Sequence, residues 1–169
     1  TGASGSVSVD ADELRLQNGA ALSVRSTGAG RAGSVFTDLG SLFMSGHSQI
    51  DATATSSLAG NVELNVSEVA FLQDSIISGL SADPENDGGN FIIQHPEALV
   101  LQRSSILANS ASGAGGNISI TADAIVLDTE STVEATGQVL QTGEVLGSVL
   151  QLDPPVRVGH AAELLLEQT

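Results

Sequence analysis

Any chemistry in this chain must come from carboxylates, histidines or hydroxyls, because it has no cysteine and no lysine. The three histidines, His47, His95 and His160, do not share a phase in the repeat described below, so no metal pair is implied. His47 follows a glycine and His95 precedes Pro96, which reads as two surface or corner residues. Glycoside hydrolysis would need two carboxyls facing each other across a groove. The acids expected to face outward are Asp51, Glu63, Asp128 and Glu134. Asp51 and Glu134 are at equivalent repeat positions but three repeats apart, about 14 Å at strand spacing, too far to form a pair. The densest oxygen cluster is DPENDGG, 83–89. Asp83, Glu85 and Asp87 are the calcium candidate there, since hard cations favour several oxygens on a loop. Neither an EF-hand nor a repeated GGxGxD pattern supports it, and a solvated acidic loop is the preferred reading. No catalytic residue, cofactor or further metal ligand is assigned.

The bulk properties point the same way. The 169 residues suit one domain, and 41% apolar content is enough for a core. The only aromatics are four Phe, so the core must be aliphatic, and all four are assigned to the core or to the stripe below. The net charge of −15 argues against a nucleic-acid surface and against docking on anionic lipid. No apolar run approaches the ~18 residues of a membrane span. The opening TGASG resembles mid-loop sequence, and the chain is expected to be a piece of a longer protein.

What would position these residues is a repeat. A Gly followed by a polar residue recurs at Gly5, Gly33, Gly60, Gly89, Gly116 and Gly147, 27 to 31 residues apart. From each of the first five anchors, offsets 2 and 4, 9 and 11, and 17 and 19 are apolar except at Thr37 and Gly79. The fourth unit fits with one residue inserted around His95-Pro96-Glu97. Spacing of two within each pair is the period of a strand with one buried face. A unit with three such strands cannot bury its own inward face, but stacked units can. The expected fold is all-β: a right-handed parallel β-helix with three sheets and about six turns, a rod roughly 25–30 Å tall. It would occupy residues 1–156, with turns starting near the six anchors, followed by a tail at 157–169.

Several finer expectations follow. The anchor glycines would supply positive φ. Asn61, Asn90 and Asn117 would stack, with Ser6, Ser34 and Ser148 in the same column. The long exits from the third strands, 26–32, 81–88 and 137–146, would leave one edge of the rod, where binding loops collect. Outward offset 10 reads Phe43, Ala70, Val100 and Val126, an apolar interaction stripe ended by Arg15. The tail HAAELLLEQ has the pattern of a short helix that would cover this stripe or cap the last turn. The open first turn would invite edge pairing.

The phrases DGGNFIIQHPEALVLQRSSILANSASGAGGNISITADAIVL and STVEATG resemble the C-terminal repeats of filamentous haemagglutinin-type exoproteins of bacterial two-partner secretion. The likeness is clearest over 86–152, reaches back to residue 5, and includes the tail HAAELLLEQ. It implies a bacterial protein exported through a partner outer-membrane transporter and found secreted or at the cell surface. Its role would be adhesion or aggregation, with a host-surface or glycan ligand. The family's N-terminal secretion domain carries an Asn-Pro motif; this sequence has none, so transporter recognition would belong to another part of the parent. The expected function is therefore a structural and adhesive segment, not an enzyme, not membrane-embedded and not bound to nucleic acid. The alternatives are a carbohydrate-active or glycan-binding module, which acids and an arginine clustered on one sheet face would favour but of which the sequence shows none, and a passive stalk.

Overall fold

The computed structural model describes residues 4–82, 88–110 and 116–135, and the backbone of Val139–Glu144 and Leu165–Leu166. Turn one holds β1 (Val7–Gln17) and β2 (Ala21–Ser23), and turn two β3 (Val35–Ser45) and β4 (Gln49–Asp51). Turn three holds β5 (Val62–Val66), β6 (Val69–Gln73) and β7 (Ile76–Ser78); turn four holds β8 (Phe91–Gln94), β9 (Ala98–Gln102) and β10 (Ser105–Ala108). Then come β11 (Ile118–Leu127), β12 (Thr132–Ala135), β13 (Val139–Glu144) and β14 (Leu165–Leu166).

Every strand pairing is parallel, each strand bonding to its counterpart one turn away. The fold is a parallel β-helix without a helix among the described residues. Five rungs stack in the order β12-β10-β7-β4-β2, and the winding between them makes about four turns rather than six. The strand after β12 begins at Val139, ahead of Gly147, and pairs with β11, so the segment expected as loop 137–146 contains a strand.

The three strands per turn form two hydrogen-bonded sheets, one of nine strands and one of five. In β1, β3 and β11 the first and second strands run on as one strand of 10 or 11 residues. In turns three and four an extra residue breaks them: Leu39 pairs with Val66 but Leu42 pairs with Ala70. The insertion expected only near His95 is therefore also present at Ser67-Glu68. It is compensated at the next corner. That corner has two positive-φ residues in turns one and two, Asn18 with Gly19 and Gly46 with His47, but one in turns three and four, Asp74 and Arg103. Ile50, Ile77 and Ile106 are thus back in register.

Inward rows form the core. Val35, Val62, Phe91 and Ile118 stack in one column, and Leu42, Ala70, Leu99 and Ile125 in another, all nearly inaccessible to water. Each large aliphatic side chain buried this way contributes about 1.5–3 kcal/mol. Gly79, the gap in the inward pattern, makes room for the ring of Phe91, whose Cζ is 3.0 Å from where a Gly79 Cβ would be. The other exception, Thr37, is buried with its Oγ1 unpartnered.

The anchor glycines are needed for a different reason than expected. Among the described glycines only Gly19 and Gly46, neither of them an anchor, have positive φ. At Gly60, Gly89 and Gly116 a Cβ would sit 1.7–2.0 Å from the carbonyl oxygen of the preceding anchor, so the backbones approach too closely for any side chain.

Candidate functional site

Two polar columns join neighbouring turns. The amide N–H groups of Ser34, Asn61, Asn90 and Asn117 donate to the side-chain oxygens of Ser6, Ser34, Asn61 and Asn90, at 3.1, 3.3, 3.2 and 3.0 Å. This is the expected Ser/Asn column, on the exposed flank; Ser148 lies outside the described residues. Sequence reasoning missed a second column. Ser48, Ser75, Ser104 and Ser131 stand just before the third strands, and the amides of Ser75 and Ser104 donate to Ser104 Oγ and Ser131 Oγ at 3.2 Å. Its signal was a serine at that corner in four successive repeats. Both columns supply structural hydrogen bonds.

An apolar column stands on the outward face where the interaction stripe was expected, with one member changed. Register places Phe43 beside Phe71, Phe71 beside Val100, and Val100 beside Val126. Ala70, assigned to this stripe, points inward and is 1% exposed; the extra residue at Ser67-Glu68 exchanges it with Phe71. All four side chains of the corrected column are half-buried by their neighbours. Arg15 closes it as expected, its guanidinium carbon 4.7 Å from the Phe43 centroid. Arg15 also donates to Glu13, Nε to Oε1 at 2.5 Å and Nη2 to Oε2 at 2.8 Å. These hydrogen bonds hold the Glu13 carboxyl below its ordinary value and raise Arg15. From turn two to turn four the outward positions of these strands, Ser41/Phe43/Ser45, Val69/Phe71/Gln73 and Ala98/Val100/Gln102, are uncharged. Phe36, by contrast, belongs neither to the core nor to the stripe: it faces outward from the first strand, 42% exposed.

The corner after the second strand carries charge. Arg103 bonds Asp74 through Nε and Nη2 at 2.7 and 2.8 Å, and its amide donates to Asp128 Oδ2 at 2.9 Å. The guanidinium holds the Asp74 carboxyl below its ordinary range. His47 and His95 are exposed corner residues, as their neighbours suggested, and both have positive φ; His160 lies outside the described residues.

Asp51 departs most from expectation. It is on the outer face of the five-stranded sheet, in the row Ser23, Asp51, Ser78, Leu107, Glu134, but its side chain is only 2% exposed. Arg25 Nε and Ser23 Oγ donate to Oδ2, the latter at 3.2 Å. Thr53 Oγ1 and Ser78 Oγ donate to Oδ1, the latter at 3.2 Å. The carboxylate therefore gathers donors from three turns. Burying an ion costs several kcal/mol unless such partners are present. Glu134 is three rungs away in the same row, as the repeat phase implied.

Asp83, Glu85 and Asp87 lie outside the described residues. Among the described residues no group of three or more His, Cys, Asp or Glu could hold a metal, and no helix is long and apolar enough to cross a membrane. Of the tail, Leu165–Leu166 is described as a strand paired with Leu140 and Gln141, which extends the nine-stranded sheet; the rest of 157–169 lies outside the described residues.

Comparison with protein-family models, curated proteins and solved structures gave no match.

Proposed function

We propose that this chain is a structural and adhesive β-helix segment of a secreted bacterial surface exoprotein of the two-partner secretion type. Two lines support the reading. One is the resemblance of residues 86–152 to filamentous haemagglutinin-type repeats. The other, which carries it, is the stacked architecture itself: each turn bonds to the next through backbone, glycine contacts and Ser/Asn columns, leaving the outer rows free to vary. A solenoid of this kind presents side chains at fixed spacing of about 4.8 Å. Secretion through an outer-membrane partner would use another part of the parent, and the ligand would be a host-surface protein or a glycan.

The test is a binding screen of the purified chain against glycans and host-surface proteins, with far-UV circular dichroism confirming a β-rich fold. Saturable binding to a defined ligand supports adhesion. No binding by the folded chain would make it a stalk.

A further inference from the structure

The outer face of the five-stranded sheet holds an arginine oriented from below. Arg25 is 59% exposed, yet its Nε is fixed on Asp51, a carboxylate whose other donors are Ser23, Thr53 and Ser78. Among the described residues its two Nη groups make no hydrogen bond, so the end of the guanidinium fork faces solvent. A stacked solenoid has no need of a buried carboxylate on an outer row: the equivalent positions in neighbouring turns are Ser23, Ser78 and Leu107. Charges buried against local rules with their partners assembled are where function is expected. Beside Arg25 in its own row are Thr53 and then Leu80, which is 40% exposed, and Ser23 and Thr55 add exposed hydroxyls.

We propose that Arg25, positioned by Asp51, is a subsite for the carboxylate of an acidic sugar. This rests on the adhesive reading and names the ligand class for one face. A guanidinium fork matches a planar carboxylate through two parallel N–H···O bonds. A singly charged carboxylate also meets less repulsion than a phosphate on a chain of net charge −15. Hydroxyls and an exposed aliphatic side chain suit the rest of a sugar, which offers hydroxyls and a C–H face. Arg25 is the contacting residue; Asp51 is a positioning residue.

The test is an NMR titration of the whole chain with glucuronate, following the Arg25 Nε–H signal and the Ser23 and Thr53 amides. Methyl glucoside, lacking the carboxylate, and N-acetylglycine, a carboxylate from a peptide source, are the controls. Saturable shifts with glucuronate, at least tenfold weaker with either control, are expected. Arg25→Gln, with its β-rich fold checked by far-UV circular dichroism, should abolish them, and Arg25→Lys should weaken binding about tenfold by losing the fork. Asp51→Asn should weaken glucuronate and speed exchange of the Arg25 Nε–H, whereas a purely structural Asp51 would change stability and leave affinity unmoved in the folded fraction. Absence of saturable shifts in the wild type, or equal binding by Arg25→Gln, overturns the proposal. Equal binding of N-acetylglycine overturns the sugar assignment. Adhesion through another face would survive each of these results, because the screen above reads binding of the whole chain.

Discussion

The two outer faces of the solenoid are built on opposite principles. On the second strands, like stacks on like: Phe43, Phe71, Val100 and Val126 are half-buried by one another, and Arg15 closes the column. On the third strands, unlike residues converge: Arg25, Ser23, Thr53 and Ser78 all bond Asp51. A column of similar residues follows from the repeat and adds a little stability per rung. A convergence of different residues from three turns does not follow from the repeat, so it marks where this chain departs from a generic rod. The contrast separates what the fold requires from what the outer surface adds.

The sharpest break of the comparison lies beneath both faces. Gly60→Ala places a Cβ 1.7 Å from the Gly33 carbonyl and should cost more than about 4 kcal/mol or prevent folding, measured by urea unfolding. A near-neutral result would mean that the turns do not approach so closely.

Next comes the contrast itself. Asp51→Ala leaves four donors without their acceptor and should cost about 2 kcal/mol. Phe71→Ala, from a half-buried stack, should cost about 1 kcal/mol. If Phe71→Ala proves the more damaging in urea unfolding, the stripe and not the carboxylate organises the exterior.

Why was one face legible in the sequence and the other not? The inward rows repeat every turn with period two, so burial of Val35, Leu64, Leu99 and Ile106 could be read directly. In turn three the extra residue at Ser67-Glu68 is cancelled by the shorter corner at Asp74-Ser75. The third strand therefore returned to phase and concealed the slip that exchanges Ala70 with Phe71. The glycine spacing was visible, but its cause was not, because close approach between turns is a property of the stack rather than of any one turn. Asp51 looked like a solvated acid since Ser23 and Ser78 are each about a repeat away, and only the register brings them together.

A smaller effect tests the interior. Thr37 buries an unpartnered hydroxyl among aliphatic neighbours, and Thr37→Val should stabilise the chain by about 1 kcal/mol in urea unfolding. A loss of stability would point to a partner for that hydroxyl.

The smallest effect is electrostatic, at the exposed corner. The hydrogen bonds from Arg103 lower the Asp74 pKa in the folded state. The pair's contribution is therefore present above the unfolded carboxylate pKa and lost as pH falls through the lowered folded value. Arg103→Gln should raise the Asp74 pKa measured by carbon NMR, and the acid-range difference in stability between the two proteins should shrink in high salt. An unmoved Asp74 pKa would remove the pair from the account.

The central claim is the register that sends Phe71 outward beside Phe43 and places Asp51 between Ser23 and Ser78. The chain has no cysteine, so engineered pairs report without background. The most direct measurement is disulfide formation in two double variants under mild oxidation. Phe43→Cys with Phe71→Cys should close readily, since neighbours in adjacent strands lie within reach of a disulfide, and Phe43→Cys with Ala70→Cys should not, because those side chains point to opposite faces. Closure of the Ala70 pair and not the Phe71 pair would contradict the register, and with it the placement of both outer faces.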